Sequence, residues 1–96
     1  MNRDQVIAKL RELKPALERD EHVSAIAIFG SFARDEAGPD SDLDILIEYE
    51  ISPGIFQFIG LQNRLGEVIG AKVDLVTKAA LHPALRDRIL AEVIYA

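Results

Sequence analysis

Residues 23–29 read Val-Ser-Ala-Ile-Ala-Ile-Phe and are apolar on both alternating faces. Successive side chains of a strand point to opposite sides, so a strand of this composition needs cover above and below. The rest of the chain offers that cover as helices. Val6, Leu10, Leu13 and Leu17 recur at helical spacing and predict a helix over 4–20, capped by Asn2 or Asp4 and interrupted after Lys14 by Pro15. Two helical turns are expected over 31–37, with Ser31 as cap and Gly38 as stop, followed by a turn at Gly38-Pro39-Asp40-Ser41. Leu43 to Tyr49 reads as a second strand. Ser52-Pro53 signals the start of a helix whose stripe is Phe58, Leu61, Leu65, Val68 and Ile69, closed by Gly70. Lys72 to Val76 reads as a third strand. A last helix carries Leu85, Ile89, Val93 and Ile94 on one face, with Pro83 near its start.

The order αβαβαβα predicts an α/β fold: a small mixed sheet of about three strands flanked by four helices, in a single domain over residues 1–96. A full helix joins the second and third strands, so these should be parallel, through a right-handed crossover. Periodicity does not fix the direction of the first two strands. With 49% apolar and 28% charged residues, a packed core is expected rather than disorder. No apolar run reaches the roughly 18–20 residues that span a bilayer, and the polar N-terminus lacks the core of a signal peptide; a soluble, cytoplasmic protein is the expectation. The absence of Cys excludes disulfides and thiolate metal sites. A net charge of −5 argues against nonspecific nucleic-acid binding.

The acids are unevenly placed. Asp35, Glu36, Asp40, Asp42, Asp44, Glu48 and Glu50 fall in one window that contains no Lys or Arg. Such a run is most often a solvated surface. Within it, however, Asp42 and Asp44 stand at i and i+2 at the start of a strand, so both project from one face while Leu43 turns into the core. At ~4 Å and an effective dielectric near 20 their repulsion is about 4 kcal/mol before screening. Divalent cations remove that cost, and Mg²⁺ accepts carboxylate oxygens. Taken alone, two exposed edge acids with no ligand are the commoner explanation of such a pair. Gly30-Ser31 closes the first strand and opens a helix; Gly admits close backbone approach, and the N–H groups and hydroxyl suit a phosphate, although an ordinary capped turn has the same composition. Asp74 interrupts an otherwise apolar strand, where a carboxylate needs a ligand, solvent, or an ion pair with Lys72, Lys78 or Arg64. His22 and His82 lie apart from these motifs and read as surface or capping residues.

Together, Gly30-Ser31-Phe32-Ala33-Arg34, Ser41-Asp42-Leu43-Asp44-Ile45-Leu46-Ile47 and the later Asp74 resemble the signature of the polymerase-β-type nucleotidyltransferase superfamily, and in particular the minimal nucleotidyltransferases of prokaryotes. The resemblance covers residues 23–77. One departure is Asp35, where many members carry Gly. The resemblance implies the nucleotidyltransferase fold, with Asp42, Asp44 and Asp74 as metal ligands and catalytic residues for two Mg²⁺ ions, Mn²⁺ being an alternative. It implies Gly30 and Ser31 on the β- and γ-phosphates of ATP, with Ser31 counted among the catalytic set. Arg34 would assist the phosphates or else pair with Asp40 or Glu36. It further implies an antitoxin that transfers AMP to a tyrosine of a HEPN-type helical toxin and releases pyrophosphate. A docking-only antitoxin and a transferase for a small acceptor are the alternatives; the second is disfavoured because no acceptor domain fits in 96 residues. All of this requires the first two strands to be antiparallel, since only then do Gly30-Ser31 and Asp42 share a pocket.

Overall fold

Helix α1 begins where the sequence offers a reciprocal cap. In the computed structural model, which describes residues 1–96, the Asn2 side chain accepts from the Gln5 N–H at 2.9 Å and the Gln5 side chain accepts from the Asn2 N–H at 2.9 Å. Asn2, not Asp4, is therefore the cap, and α1 spans Arg3–Glu21. The expected interruption at Pro15 does not occur; the helix runs through it. An internal proline costs about 3 kcal/mol. Val6, Ile7 and Leu10 before it and Leu17 after it are all buried, and each such side chain contributes roughly 1.5–3 kcal/mol. Burial on both sides of the proline outweighs the lost backbone bond. His22, in the left-handed region at φ 58°, ends the helix, with its N–H donating to the Leu17 carbonyl.

Four strands form one sheet in the order β3-β2-β1-β4. β1 (Val23–Phe29) and β2 (Leu43–Tyr49) are antiparallel, with Val23 opposite Tyr49 and Phe29 opposite Asp44. β2 and β3 (Val73–Thr77) are parallel, joined through α3 (Ile55–Ile69), as the full-helix connection predicted. β3 begins one residue later than its sequence suggested. One sheet face (Ile26, Ile28, Leu43, Ile45, Ile47, Val73 and Leu75) forms a core with Val6, Leu10 and Leu17 of α1 and Leu61, Leu65 and Ile69 of α3. On the other, Ala27, Phe29 and Leu46 pack with Leu81, Ile89 and Leu90. The doubly apolar β1 is thus covered on both sides.

Three expectations are corrected. α2 is only Gly30–Ala33, not 31–37, and its cap position is Phe29 rather than Ser31. Asp35 adopts φ 59°, which ends the helical path before Gly38 is reached. That conformation also explains why glycine suits this position. α3 starts at Ile55 with Gly54 as its cap, not at Ser52-Pro53, because residues 52–54 stay outside the helix and bridge from β2. Finally, α4 (Pro83–Glu92) stops before Val93, and Ile94–Tyr95 forms β4, antiparallel to β1, so the sheet has four strands rather than three. Without β4, that edge of β1 would leave ladder groups unpaired; instead the Ala96 N–H donates to the Ile26 carbonyl at 3.0 Å. The β-branched pair Val93-Ile94 and the aromatic Tyr95 suit a strand. His82 caps α4, its Nδ1 accepting from the Ala84 N–H at 3.1 Å. No helix is long and apolar enough to cross a membrane.

Leu43, fully buried between the two aspartates, anchors the start of β2. Leu43→Ala should destabilise the fold by roughly 2–5 kcal/mol in urea denaturation. An effect below about 1 kcal/mol would mean that β2 is not held by this face.

Candidate functional site

The antiparallel register of β1 and β2 decides what meets at the end of the sheet. Because Phe29 lies opposite Asp44, the next residue, Gly30, is pressed against the Asp44 carboxylate. A Cβ at Gly30 would overlap Asp44 Oδ2 and lie 3.2 Å from Asp44 Cγ. Gly30 also has φ +70°, a conformation that a side chain disfavours. Two independent reasons therefore select glycine here, and the chain passes the carboxylate with no side chain between them.

The parallel register of β2 and β3 adds the third acid: Asp44 is directly opposite Asp74. Asp42, two residues before Asp44, belongs to the same side of the strand. Asp42 and Asp74 are exposed, whereas Asp44 is half-buried. Burial pushes the Asp44 carboxyl above its ordinary value, the charges of Asp74 and Asp42 push it further, Arg34 opposes them, and Glu92 adds to the rise. Cations do little to relieve the group. Lys72 approaches Asp42 at 3.9 Å with its side chain largely in solvent, so Asp42 is not wholly without a basic neighbour. Lys78 pairs with Glu48 at 3.6 Å and Arg64 with Glu21 at 2.6 Å; neither takes the place expected beside Asp74.

The donor set is all oxygen, which suits Mg²⁺ or Mn²⁺ over softer metals. As the side chains stand, no three of them form a closed metal-holding group. Unneutralised carboxylates repel, so a spread arrangement is the expected one without a cation between them. The register nevertheless keeps Asp44 and Asp74 side by side, and the residues fit a hard divalent ion.

The Ser31 hydroxyl side of α2 is half-exposed at the same end of the sheet. Arg34 is not free. Its Nε donates to Glu36 at 3.0 Å and its Nη1 to Glu92 at 3.2 Å, so one expected ion pair forms, the one to Asp40 does not, and an unexpected one appears. Glu92 was not legible as a site residue. It lies 62 positions from Gly30 at the end of α4, in no motif, yet its Oε1 accepts from the Gly30 N–H at 2.9 Å. Next to the acids, a cleft of about 610 Å³ is lined by Phe32, Gly38, Ser41, Asp42 and Lys72 among others. A more apolar groove between α1 and α3, about 540 Å³ and lined by Leu13, Leu17, Leu61, Leu65 and Val68 among others, contains none of the motif residues. His22 and His82 serve as helix caps only.

A sheet of this topology, with Gly-Ser at the end of one strand and three aspartates brought to its neighbours, defines a nucleotidyltransferase domain. The family model for that domain matches residues 10–96, and the chain belongs to this family. It is 37% identical over 92 residues to the protein adenylyltransferase MntA of Thermococcus cleftensis, covering 96% of this chain and 93% of that one. Among solved structures it resembles a candidate minimal nucleotidyltransferase with a TM-score of 0.83 and 32% identity, covering 98% of this chain and 95% of the other. It shares its fold with a complex of tri-AMPylated HEPN toxin and its antitoxin from Shewanella oneidensis, at a TM-score of 0.70 and 17% identity, covering 97% of this chain and 70% of that one.

Two outcomes check the geometry. Gly30→Ala should lower the unfolding free energy by at least about 1 kcal/mol in denaturant titrations. Gly38→Ala should have little effect, since its nearest neighbour, Ser41 Oγ, is 4.0 Å away. Asp44→Asn should melt above the parent chain at pH 7 in metal-free buffer. A carboxyl whose folded pKa is raised contributes stability that is full below its ordinary value of 3.8 and lost as pH rises through the folded pKa. The gap between the two proteins should therefore close as pH is lowered toward 3.8. A constant gap would remove the electrostatic explanation.

Proposed function

We propose that this chain is a protein adenylyltransferase and acts as the antitoxin of a toxin–antitoxin pair. It moves AMP from ATP onto a tyrosine hydroxyl of a HEPN-type toxin and releases pyrophosphate. One observation carries the reading: the Gly30-Ser31 turn and the three aspartates meet at one end of the sheet, with the Gly30 backbone against Asp44. The similarity to a protein adenylyltransferase over nearly the whole chain supports the transfer chemistry. The shared fold with an antitoxin bound to an AMPylated toxin supports the kind of partner.

In this reading Gly30 and Ser31 hold the β- and γ-phosphates through backbone N–H groups and the hydroxyl, and Arg34 neutralises phosphate charge once its Nη1 is released from Glu92. Asp42, Asp44 and Asp74 would hold two Mg²⁺ ions, with Asp74 on the one that activates the acceptor hydroxyl. When bound, the ions supply charge stabilisation of the entering and leaving oxygens and lower the hydroxyl pKa. A tyrosine hydroxyl, with pKa near 10, is otherwise a poor nucleophile at neutral pH. Its oxygen bonds to the α-phosphorus, the bond to the β-phosphate oxygen breaks, and the phenolic proton passes to solvent. The partner brings the hydroxyl, and docking orients it. The product carries added phosphate charge and bulk on the toxin surface that presents the tyrosine. The reading requires a compartment that holds ATP and Mg²⁺, as the cytoplasm does.

The test is intact mass spectrometry of the toxin encoded beside this chain after incubation with it, ATP and Mg²⁺. Addition of AMP to a tyrosine, lost with Asp44→Asn by at least about 100-fold in rate, is expected. A toxin neutralised without any mass change would establish docking alone.

A further inference from the structure

Two donors that the proposed reaction needs for phosphate are already engaged by a carboxylate of the chain itself. Glu92 is the last residue of α4, and its side chain is 23% exposed. Its Oε1 accepts from the Gly30 N–H at 2.9 Å. The Arg34 Nη1 donates to Oε2 at 3.2 Å and to Oε1 at 3.4 Å. A carboxylate held by one backbone N–H and one guanidinium presents a similar acceptor geometry to a phosphate oxygen pair held by them.

A purely structural role explains this contact incompletely. The Gly30 N–H sits at the junction of β1 and α2 and needs an acceptor, which a neutral amide would serve. A negative group is an unfavourable choice near Asp44, whose ionisation its charge disfavours. Its pairing with Arg34 opposes that repulsion. A triphosphate carrying its own cations would reverse that balance, because it offers Arg34 and Gly30 more charge while the cations neutralise the aspartates. Glu36 stays on the Nε side of Arg34 at 3.0 Å, so the guanidinium need not swing away when Nη1 changes partner.

We propose that Glu92 is an internal competitor for the nucleoside triphosphate: it occupies the Gly30 amide and Arg34 in the nucleotide-free chain and must release both before the phosphates can bind. The proposal rests on the nucleotidyltransferase reading of the Gly30-Ser31 turn. It makes Glu92 a positioning residue that sets nucleotide affinity and holds the turn in shape until nucleotide arrives.

The experiment is isothermal calorimetry of the full chain with a nonhydrolysable ATP analogue and Mg²⁺, on the parent, Glu92→Gln and Glu92→Asp, with thermal melts of each in the absence of nucleotide. Glu92→Gln keeps an acceptor for Gly30 but removes the charge. Glu92→Asp keeps the charge but is one methylene short, and guards against a variant that does not fold. Competition predicts that Glu92→Gln binds the analogue about three- to tenfold tighter, with an unchanged or lower melting temperature, and that Glu92→Asp shifts the same way by less. A structural residue would move affinity and melting temperature down together. Weaker binding in the variants would make Glu92 a ligand of the site, and affinity unchanged within about twofold would remove it from nucleotide binding; either overturns the proposal. A parent chain that binds no triphosphate would overturn the nucleotidyltransferase reading and this proposal with it, whereas a parent that binds while the variants do not tighten would overturn this proposal alone.

Discussion

The contact between the Gly30 backbone and the Asp44 carboxylate depends on one register, Phe29 opposite Asp44 in the antiparallel β1–β2 pair. Shift that pairing by one residue and Asp44 turns into the face occupied by Ile45 and Leu43, where an ionised carboxylate is prohibitively costly. The same shift would drive Leu43 out of the core. Burial of Leu43, Ile45 and Ile47 under α1 and α3 thus enforces the placement of the acids as much as any interaction among the acids does. The site is a consequence of packing on the opposite face of the strand.

That arrangement leaves the chain with a concentration of like charge on its functional end. Asp44 carries most of the strain, being half-buried between two other aspartates with Glu92 nearby. The chain meets the cost only in part, with Arg34 near and Lys72 at the margin. A carboxyl perturbed by burial and by specific charged neighbours in this way is a candidate for a functional site. The groove between α1 and α3 is more apolar, but it gathers no titratable group of the motif and no chemistry follows from it.

The C-terminal strand ties this end of the molecule together. β4 pairs with β1 immediately after α4 ends at Glu92, so the segment that closes the exposed edge of β1 also fixes where Glu92 can reach. Ala27 and Ile28, opposite Tyr95 and Ile94, lie only a few residues before Gly30 along β1. The turn that would receive phosphate, the strand that supports it and the carboxylate that covers it therefore form one connected unit.

By itself, the sequence determined the layered α/β plan, because Val23–Phe29 needed two covered faces, and it determined the parallel β2–β3 pair, because a full helix joined them. It also placed Asp42 and Asp44 on one face, since residues two apart on a strand share a face, whereas Gly30-Ser31 and Asp74 joined them through the resemblance to the nucleotidyltransferases. Where local signals compete with burial, they misled. Pro15 marks a helix break that core contacts override, Ser52-Pro53 imitates a helix start, and Val93-Ile94 fits a helical face as well as a strand. Only the tertiary structure decided that β4 exists, that β1 and β2 run in opposite directions, and that Glu92 reaches Gly30. Each of these is a pairing between residues far apart in the chain, and its free energy comes from ladder bonds, apolar contact and charge that no local pattern of side chains encodes.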